Sequence, residues 1–177
     1  MIIKLATFLL FTLIFTSFFG NVKAVQEASS GTNLVVISVR DVTYEQVNPS
    51  DGSKYLIKRI GEKINMFFSF SSKSKVKVYK KLVNVRLAEL KFIIEKKEMG
   101  YFEAATKRYF TTVGQLKNLL VSSNIKSEFM PIKEELSSHI SVLIKLRDSY
   151  DPSTAEWRFV EDDINYVKGY LDELSTE

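Results

Sequence analysis

Apolar side chains recur at three- and four-residue spacing over most of the chain after residue 52, which is the periodicity of one face of an α-helix. Five such stretches follow one another, at residues 53–69, 73–99, 101–121, 127–150 and from 153 to the end. Short connections between helices favour antiparallel neighbours. The pattern predicts an all-α fold, an up-and-down bundle of about five helices over residues 53–177, with the first two forming a long antiparallel helical hairpin.

The first of these helices has a well-defined apolar stripe, which we expect to lie in the core. It consists of Tyr55, Leu56, Ile60, Ile64, Phe67 and Phe68. Ser71 or Ser72 is placed to cap the second helix, because a serine oxygen can accept an amide hydrogen of the first turn. Gly100 is expected in the left-handed conformation that commonly follows a helix.

Residues 1–24 have the features of a secretory signal peptide. Lys4 gives a positive start, residues 5–19 form an uncharged apolar run, and Val22 and Ala24 are small residues suited to a cleavage site. We expect cleavage after Ala24 and an exported protein. The alternative is that residues 1–24 remain as an uncleaved anchor.

Residues 25–52 are expected to form a tether or extended arm between the signal peptide and the bundle. Their first part is small and polar, whereas residues 34–39 form a β-branched run, Leu-Val-Val-Ile-Ser-Val. Such a run favours an extended strand. It could lie over the helices, or it could be donated to the sheet of a neighbour in an assembly.

Charge is distributed unevenly along the 177 residues. Residues 53–98 carry thirteen Lys or Arg against four Glu, whereas residues 127–177 carry five basic against twelve acidic residues. Five lysines crowd the first turns of the second helix, where the helix dipole disfavours cations: Lys73, Lys75, Lys77, Lys80 and Lys81. Either the two halves neutralise each other across the bundle, or the basic face binds an anionic partner such as lipid headgroups or wall polymers.

Groups suited to catalysis are few. The chain has no cysteine and a single histidine, His139, which flanks an apolar stripe and is expected to be structural. Neighbouring carboxylates, as at Glu161 and Asp163, are not spaced to converge on one substrate atom from a single helix. We therefore expect no catalytic, cofactor or metal site. The alternative from another class is a hydrolase of envelope polymers that uses carboxylates carried on helices.

One long-range ion pair is predicted. Arg86 and Glu89 are spaced as an ordinary pair on one helix. Arg86 could instead reach Glu62 across the corner and hold the first helix against the second.

Several positions between Pro49 and residue 120 resemble a bacterial, extracytoplasmic helical domain of unknown function, which also occurs outside the membrane in anti-sigma-factor-like proteins. The resemblance rests on Pro49, the run from Tyr55 to Arg59, Glu62, Phe70, the run from Arg86 to Glu89, Gly100 and Tyr109. The family tends to place Asp-Pro at the corner where this chain has Ser71-Ser72. The chain therefore lacks the proline that would fix the backbone at the first helical position, but it keeps a side chain that can cap the helix. The resemblance brings no catalytic residues.

Together these observations favour an exported, non-enzymatic interaction or structural module of the cell envelope. Its partner would be another envelope protein or an anionic polymer or lipid surface. Export makes nucleic acid a poor target, and the sequence does not indicate an oligomeric state.

Overall fold

The computed structural model describes residues 42–176, and this part of the chain is helical without strands. The helices are α1 (Tyr44–Val47), α2 (Ser53–Phe67), α3 (Ser72–Lys96), α4 (Phe102–Ser123), α5 (Phe129–Arg147) and α6 (Ala155–Thr176). Single 3-10 turns lie at Pro49–Asp51, Met99–Tyr101 and Lys126–Glu128. The all-α prediction is confirmed for these residues. The expected signal peptide and the run at residues 34–39 lie outside them.

Helices α3 to α6 share one hydrophobic core. Its fully buried side chains include Leu87, Leu90, Tyr109, Leu116, Leu143 and Ile164. Burial of a large apolar side chain contributes about 1.5–3 kcal/mol to folding, so this cluster is the main source of stability. Gly114 allows α4 and α6 to approach closely, since a Cβ there would lie 2.9 Å from the Tyr170 hydroxyl.

Contacts between side chains define the directions of the four core helices. Arg108 of α4 pairs with Glu89 late in α3, whereas Leu119 lines a cavity with Lys75 early in α3, so α3 and α4 run antiparallel. Arg147 pairs with Glu161, and Lys133 donates to Ser175, so α5 and α6 form a second antiparallel hairpin. Phe102 packs on Phe159 at 6.2 Å and Lys117 pairs with Glu173, so α4 and α6 run parallel. Helix direction therefore alternates along the chain from α3 to α6.

The end of α3 differs from the sequence-based expectation. The helix ends at Lys96, and Lys97 rather than Gly100 takes the left-handed conformation, with φ of 57°. The Glu98 amide donates to the Ile93 carbonyl at 2.9 Å, which closes the helix end with an ordinary lysine. Gly100 lies in the following 3-10 turn. At the other end Ser71 caps α3 by accepting from the Ser74 amide at 3.1 Å.

The described part of the expected extended arm, residues 42–52, is folded onto the bundle. Val47 and Asn48 are buried, and the Tyr44 ring packs edge-on against Phe92 of α3 at 5.5 Å. Gly52 precedes α2 with φ of 49°, a conformation that favours glycine.

The orientation of α2 is opposite to the prediction. Of its apolar stripe only Tyr55 is buried, whereas Leu56, Ile60 and Phe67 are 59%, 56% and 76% exposed. Ile57, Ile64 and Phe68 are exposed as well. The stripe therefore faces away from the core, because the polar side of α2 is the side held against α3.

Candidate functional site

The five predicted lysines do not form one patch. Lys80 is half-buried and pairs with Glu135 of α5 at 3.2 Å, which is charge neutralisation across the bundle. Lys75 lies on the α2 side of α3 and lines a cavity there. Lys73, Lys77 and Lys81 are exposed, and at 100° per residue they share the other side of α3.

Arg86 and Glu62 are brought together, as the long-range pairing requires. Arg86 Nη2 donates a hydrogen bond to Glu62 Oε2, and both side chains are at most 10% exposed. Arg86 Nη1 also lies 3.6 Å from Glu89 Oε2 on its own helix. The two pairings therefore coexist, and they belong to a larger set of buried polar groups.

We call this set the polar cluster; it consists of Tyr55, Arg59, Glu62, Arg86, Glu89 and Arg108. Glu89 is its centre and is fully buried. Its Oε1 accepts from the Tyr55 hydroxyl at 2.5 Å and from Arg108 Nη2 at 2.5 Å, while Arg108 Nε donates to Oε2 at 3.3 Å. One carboxylate thus joins α2, α3 and α4.

The polar cluster carries an excess of positive charge, with three guanidinium groups against two carboxylates. Burial lowers the pKa of Arg59, and the neighbouring charge of Arg86 lowers it further. Burial, reinforced by Glu89, raises the pKa of Tyr55 to about 12, so its hydroxyl remains a donor at neutral pH. Within residues 42–176, Arg59 Nη1, Arg86 Nη1 and Glu62 Oε1 are buried without a hydrogen-bond partner.

A cleft of about 560 Å³ opens beside the polar cluster between α2, α3 and α4. We call it the cationic cleft, because Arg59, Lys63, Arg86, Lys107 and Arg108 line it together with the single carboxylate Glu62. Met66, Tyr79 and Leu82 supply apolar surface. A second cavity of about 610 Å³ shares Met66, Tyr79 and Gln115 with the first and continues to Phe67, Phe70, Lys75 and Leu119.

The opposite side of α2 presents an exposed apolar surface. We call it the outer stripe; it consists of Leu56, Ile57, Ile60, Ile64 and Phe67. At 100° per residue these five fall within an arc of about 100°. Phe68 and Phe70 extend the surface through the corner, with the ring of Phe68 in edge contact with both Phe67 and Phe70. Lys63 borders one edge of the stripe, and Lys54 and Lys58 lie beyond the other.

A second buried polar chain crosses the core at His139. The Tyr109 hydroxyl lies 3.2 Å from His139 Nδ1, and Nε2 lies 3.1 Å from Asn84 Oδ1. Burial lowers the pKa of His139 to about 4, so the ring is neutral at pH 7. A neutral ring that accepts from Tyr109 and donates to Asn84 satisfies both contacts. His139 therefore has a structural role, because both of its ring nitrogens are engaged in hydrogen bonds inside the core.

The carboxylates of the hydrolase alternative do not share an accessible site. Asp163 is 1% exposed, and burial raises its pKa to about 9. Glu161 instead accepts from Arg147 Nη1 at 2.6 Å. Over residues 42–176, no group of three or more His, Asp or Glu is arranged to hold a metal ion, and no helix is long and apolar enough to cross a membrane.

A family model described as "Domain of unknown function (DUF5667)" matches residues 50–152, which is more than half of the chain. The chain belongs to this family. The DUF5667 region contains α2 to α5, and with them the polar cluster, the cationic cleft and the outer stripe, whereas α6 begins after it. No curated protein and no solved structure matched the chain.

Sequence reasoning missed most of the polar cluster, although a signal was present. Tyr55, Glu62 and Met66 lie on one side of α2, seven and four residues apart, together with Arg59. This stripe competes with the apolar one in the same helix. A tyrosine and an Arg–Glu pair at helical spacing opposite another Arg–Glu pair indicates a buried polar contact rather than a solvated face.

Proposed function

We propose that this DUF5667 protein is an exported, non-enzymatic binding module of the bacterial cell envelope, which docks on an anionic lipid surface through α2. The observation that carries the proposal is the outer stripe. It places five large apolar side chains on the side of α2 that faces away from the bundle. A helix with an apolar face, aromatic residues and flanking lysines is suited to lie in the interface of a membrane without crossing it.

Charge complementarity favours lipid over a second copy of the chain. Lys54, Lys58 and Lys63 flank the outer stripe, and each lysine near an anionic leaflet contributes about 1 kcal/mol to binding. A symmetric contact between two outer stripes would instead bring the same lysines together. Exposed Lys73, Lys77 and Lys81 would add longer-range attraction without touching the lipid.

The chain has no cysteine, so single-cysteine variants allow site-specific spin labels. A nitroxide on full-length I60C should become accessible to oxygen and protected from a polar relaxation agent on phosphatidylglycerol vesicles. A label on K168C, at an exposed position of α6, should remain in water. Both variants retain residues 1–41, so any binding through those residues is common to both.

Two results would overturn the proposal. One is a label at position 60 that stays in water while the protein sediments with the vesicles. The other is dipolar broadening between labels at position 60 without vesicles, which would assign the outer stripe to contact between two copies.

A further inference from the structure

We infer that the cationic cleft is a binding site for a monomeric anionic amphiphile, a molecule with a compact phosphate or carboxylate head and a short apolar chain. This inference differs from lipid docking, because the arginine end of the cleft lies on the inner side of α2 and most of the outer stripe on its opposite side; Lys63 and Phe67 border both surfaces. It follows from the charge, the unsatisfied donors and the shape of the cleft.

The charge of the cleft favours an anion. Five cationic side chains line it, and the carboxylates that face them are Glu62 on α2 and the buried Glu89 behind. Lys63 and Lys107 are exposed at its rim, and neither has a hydrogen-bond or ion-pair partner among residues 42–176. Cations held this close disfavour one another, so a bound anion would relieve the repulsion.

The floor of the cleft offers donors that the protein itself does not use. The Arg86 side chain is 6% exposed, and its Nη1 forms no hydrogen bond with the residues that the structure describes, although Glu89 Oε2 lies 3.6 Å away. Arg59 Nη1 is likewise buried without a hydrogen-bond partner in the described part of the chain, and Glu62 Oε2 lies 3.9 Å from it. Guanidinium groups bind phosphate and carboxylate oxygens through paired hydrogen bonds, so these two are suited to receive the head of the ligand.

The shape of the cleft favours an apolar chain behind the head. From the arginine end, the surface continues over Met66, Tyr79 and Leu82 into the second cavity, where Phe67, Phe70 and Leu119 lie. The step along α2 from Arg59 to Met66 is about 10 Å at 1.5 Å per residue, which suits a chain of about eight to ten carbons. A head-and-tail ligand is therefore matched at both ends.

Calorimetric titration of the full-length chain with decyl phosphate, kept below its micelle concentration, tests the inference. Decyl phosphate should bind in a one-to-one complex. Inorganic phosphate, which lacks the tail, should bind at least about tenfold more weakly, and uncharged decyl maltoside should not bind. Equal binding of decyl phosphate and decyl maltoside would overturn the inference, since the charge would then be irrelevant.

Two matched double variants locate the site. K63Q/K107Q removes the rim cations and should weaken decyl phosphate binding by about tenfold, whereas K145Q/K168Q removes two exposed lysines elsewhere and should leave it unchanged. The variant I60D should also bind normally. Loss of binding in I60D would place the detergent on the outer stripe and overturn the inference, as would full binding by K63Q/K107Q. Lipid docking is measured separately, by the nitroxide at position 60 on vesicles. Failure of one proposal can therefore be distinguished from failure of the other.

Discussion

Tyr55 and Glu89 lie 34 residues apart in the chain, and the Tyr55 hydroxyl donates a 2.5 Å hydrogen bond to Glu89 Oε1 in the interior. Through this contact and the Glu62–Arg86 pair, α2 is held to α3 by polar groups rather than by an apolar stripe. The apolar side chains of α2 are therefore free to contact another surface, and the attachment of α2 to the bundle depends on a few hydrogen bonds.

Tyr55→Phe should destabilise the attachment of α2. The substitution removes one hydrogen bond to a buried carboxylate, which costs about 1–3 kcal/mol. Amide hydrogen exchange should accelerate in α2 more than in α4 or α6, and urea unfolding should report the loss in stability. Tyr101→Phe is the matched control, because Tyr101 is 41% exposed. Unchanged exchange in α2 would contradict a structural role for the hydroxyl.

Glu89→Gln should be more damaging than Tyr55→Phe. It leaves the guanidinium groups of Arg86 and Arg108 close together with one fewer carboxylate, and removal of one partner from a buried ion pair costs about 3–5 kcal/mol. The matched double variant E89M/R108M removes both charges and should be more stable than E89Q. A double variant less stable than E89Q would contradict this account of the polar cluster.

Ile60→Asp should change the free energy of unfolding by less than about 0.5 kcal/mol, because the side chain is 56% exposed. The matched core substitution Ile93→Ala should cost about 2–5 kcal/mol, because Ile93 is fully buried. Both values come from urea unfolding in the absence of lipid. A strong loss of stability in I60D would indicate that another part of the chain covers the outer stripe.

The difference between α2 and the core helices α3 to α6 explains where prediction from the sequence succeeded and where it failed. Periodicity in α3 to α6 predicted the helices, and the apolar residues Leu87, Leu116 and Leu143 lie in their shared core. In α2, periodicity located the apolar side of the helix correctly but could not show whether that side faces the core or the solvent. That outcome depends on whether Tyr55 and Glu62 find buried partners on α3, which is a tertiary property.

His139 provides a direct measure of interior burial. Because it is the only histidine, its imidazole carbon-bound protons give one set of NMR signals. Burial lowers its pKa to about 4, so these signals should not titrate between pH 8 and pH 5.5. The unfolded chain takes up this proton near pH 6.5, so the contribution of His139 to stability should fall as pH drops from about 6.5 towards 4. A midpoint near 6.5 in the folded protein would contradict the buried Tyr109–His139–Asn84 chain.

Asp163 should give the opposite pH dependence. Its pKa is raised to about 9 by burial first and by Asp162 second, so the folded protein keeps a proton that the unfolded chain loses near pH 4. Its contribution to stability is complete below the unfolded pKa and is lost as pH rises towards the folded pKa.

Above about pH 6.5 the opposing contribution of His139 fades, because the unfolded imidazole loses its proton, so the free energy of unfolding should decrease with pH, by up to about 1.4 kcal/mol per unit. The D163N variant keeps the shape of the neutral acid without the ionisation. It should lose this slope and become more stable than the parent by about 2–4 kcal/mol at pH 8. Urea unfolding at pH 5.5, 7 and 8.5 measures both curves, with D162N as the control on the neighbouring residue. Parallel curves for D163N and the parent would show that Asp163 ionises in the folded state at its ordinary pKa, with its carboxylate in contact with water.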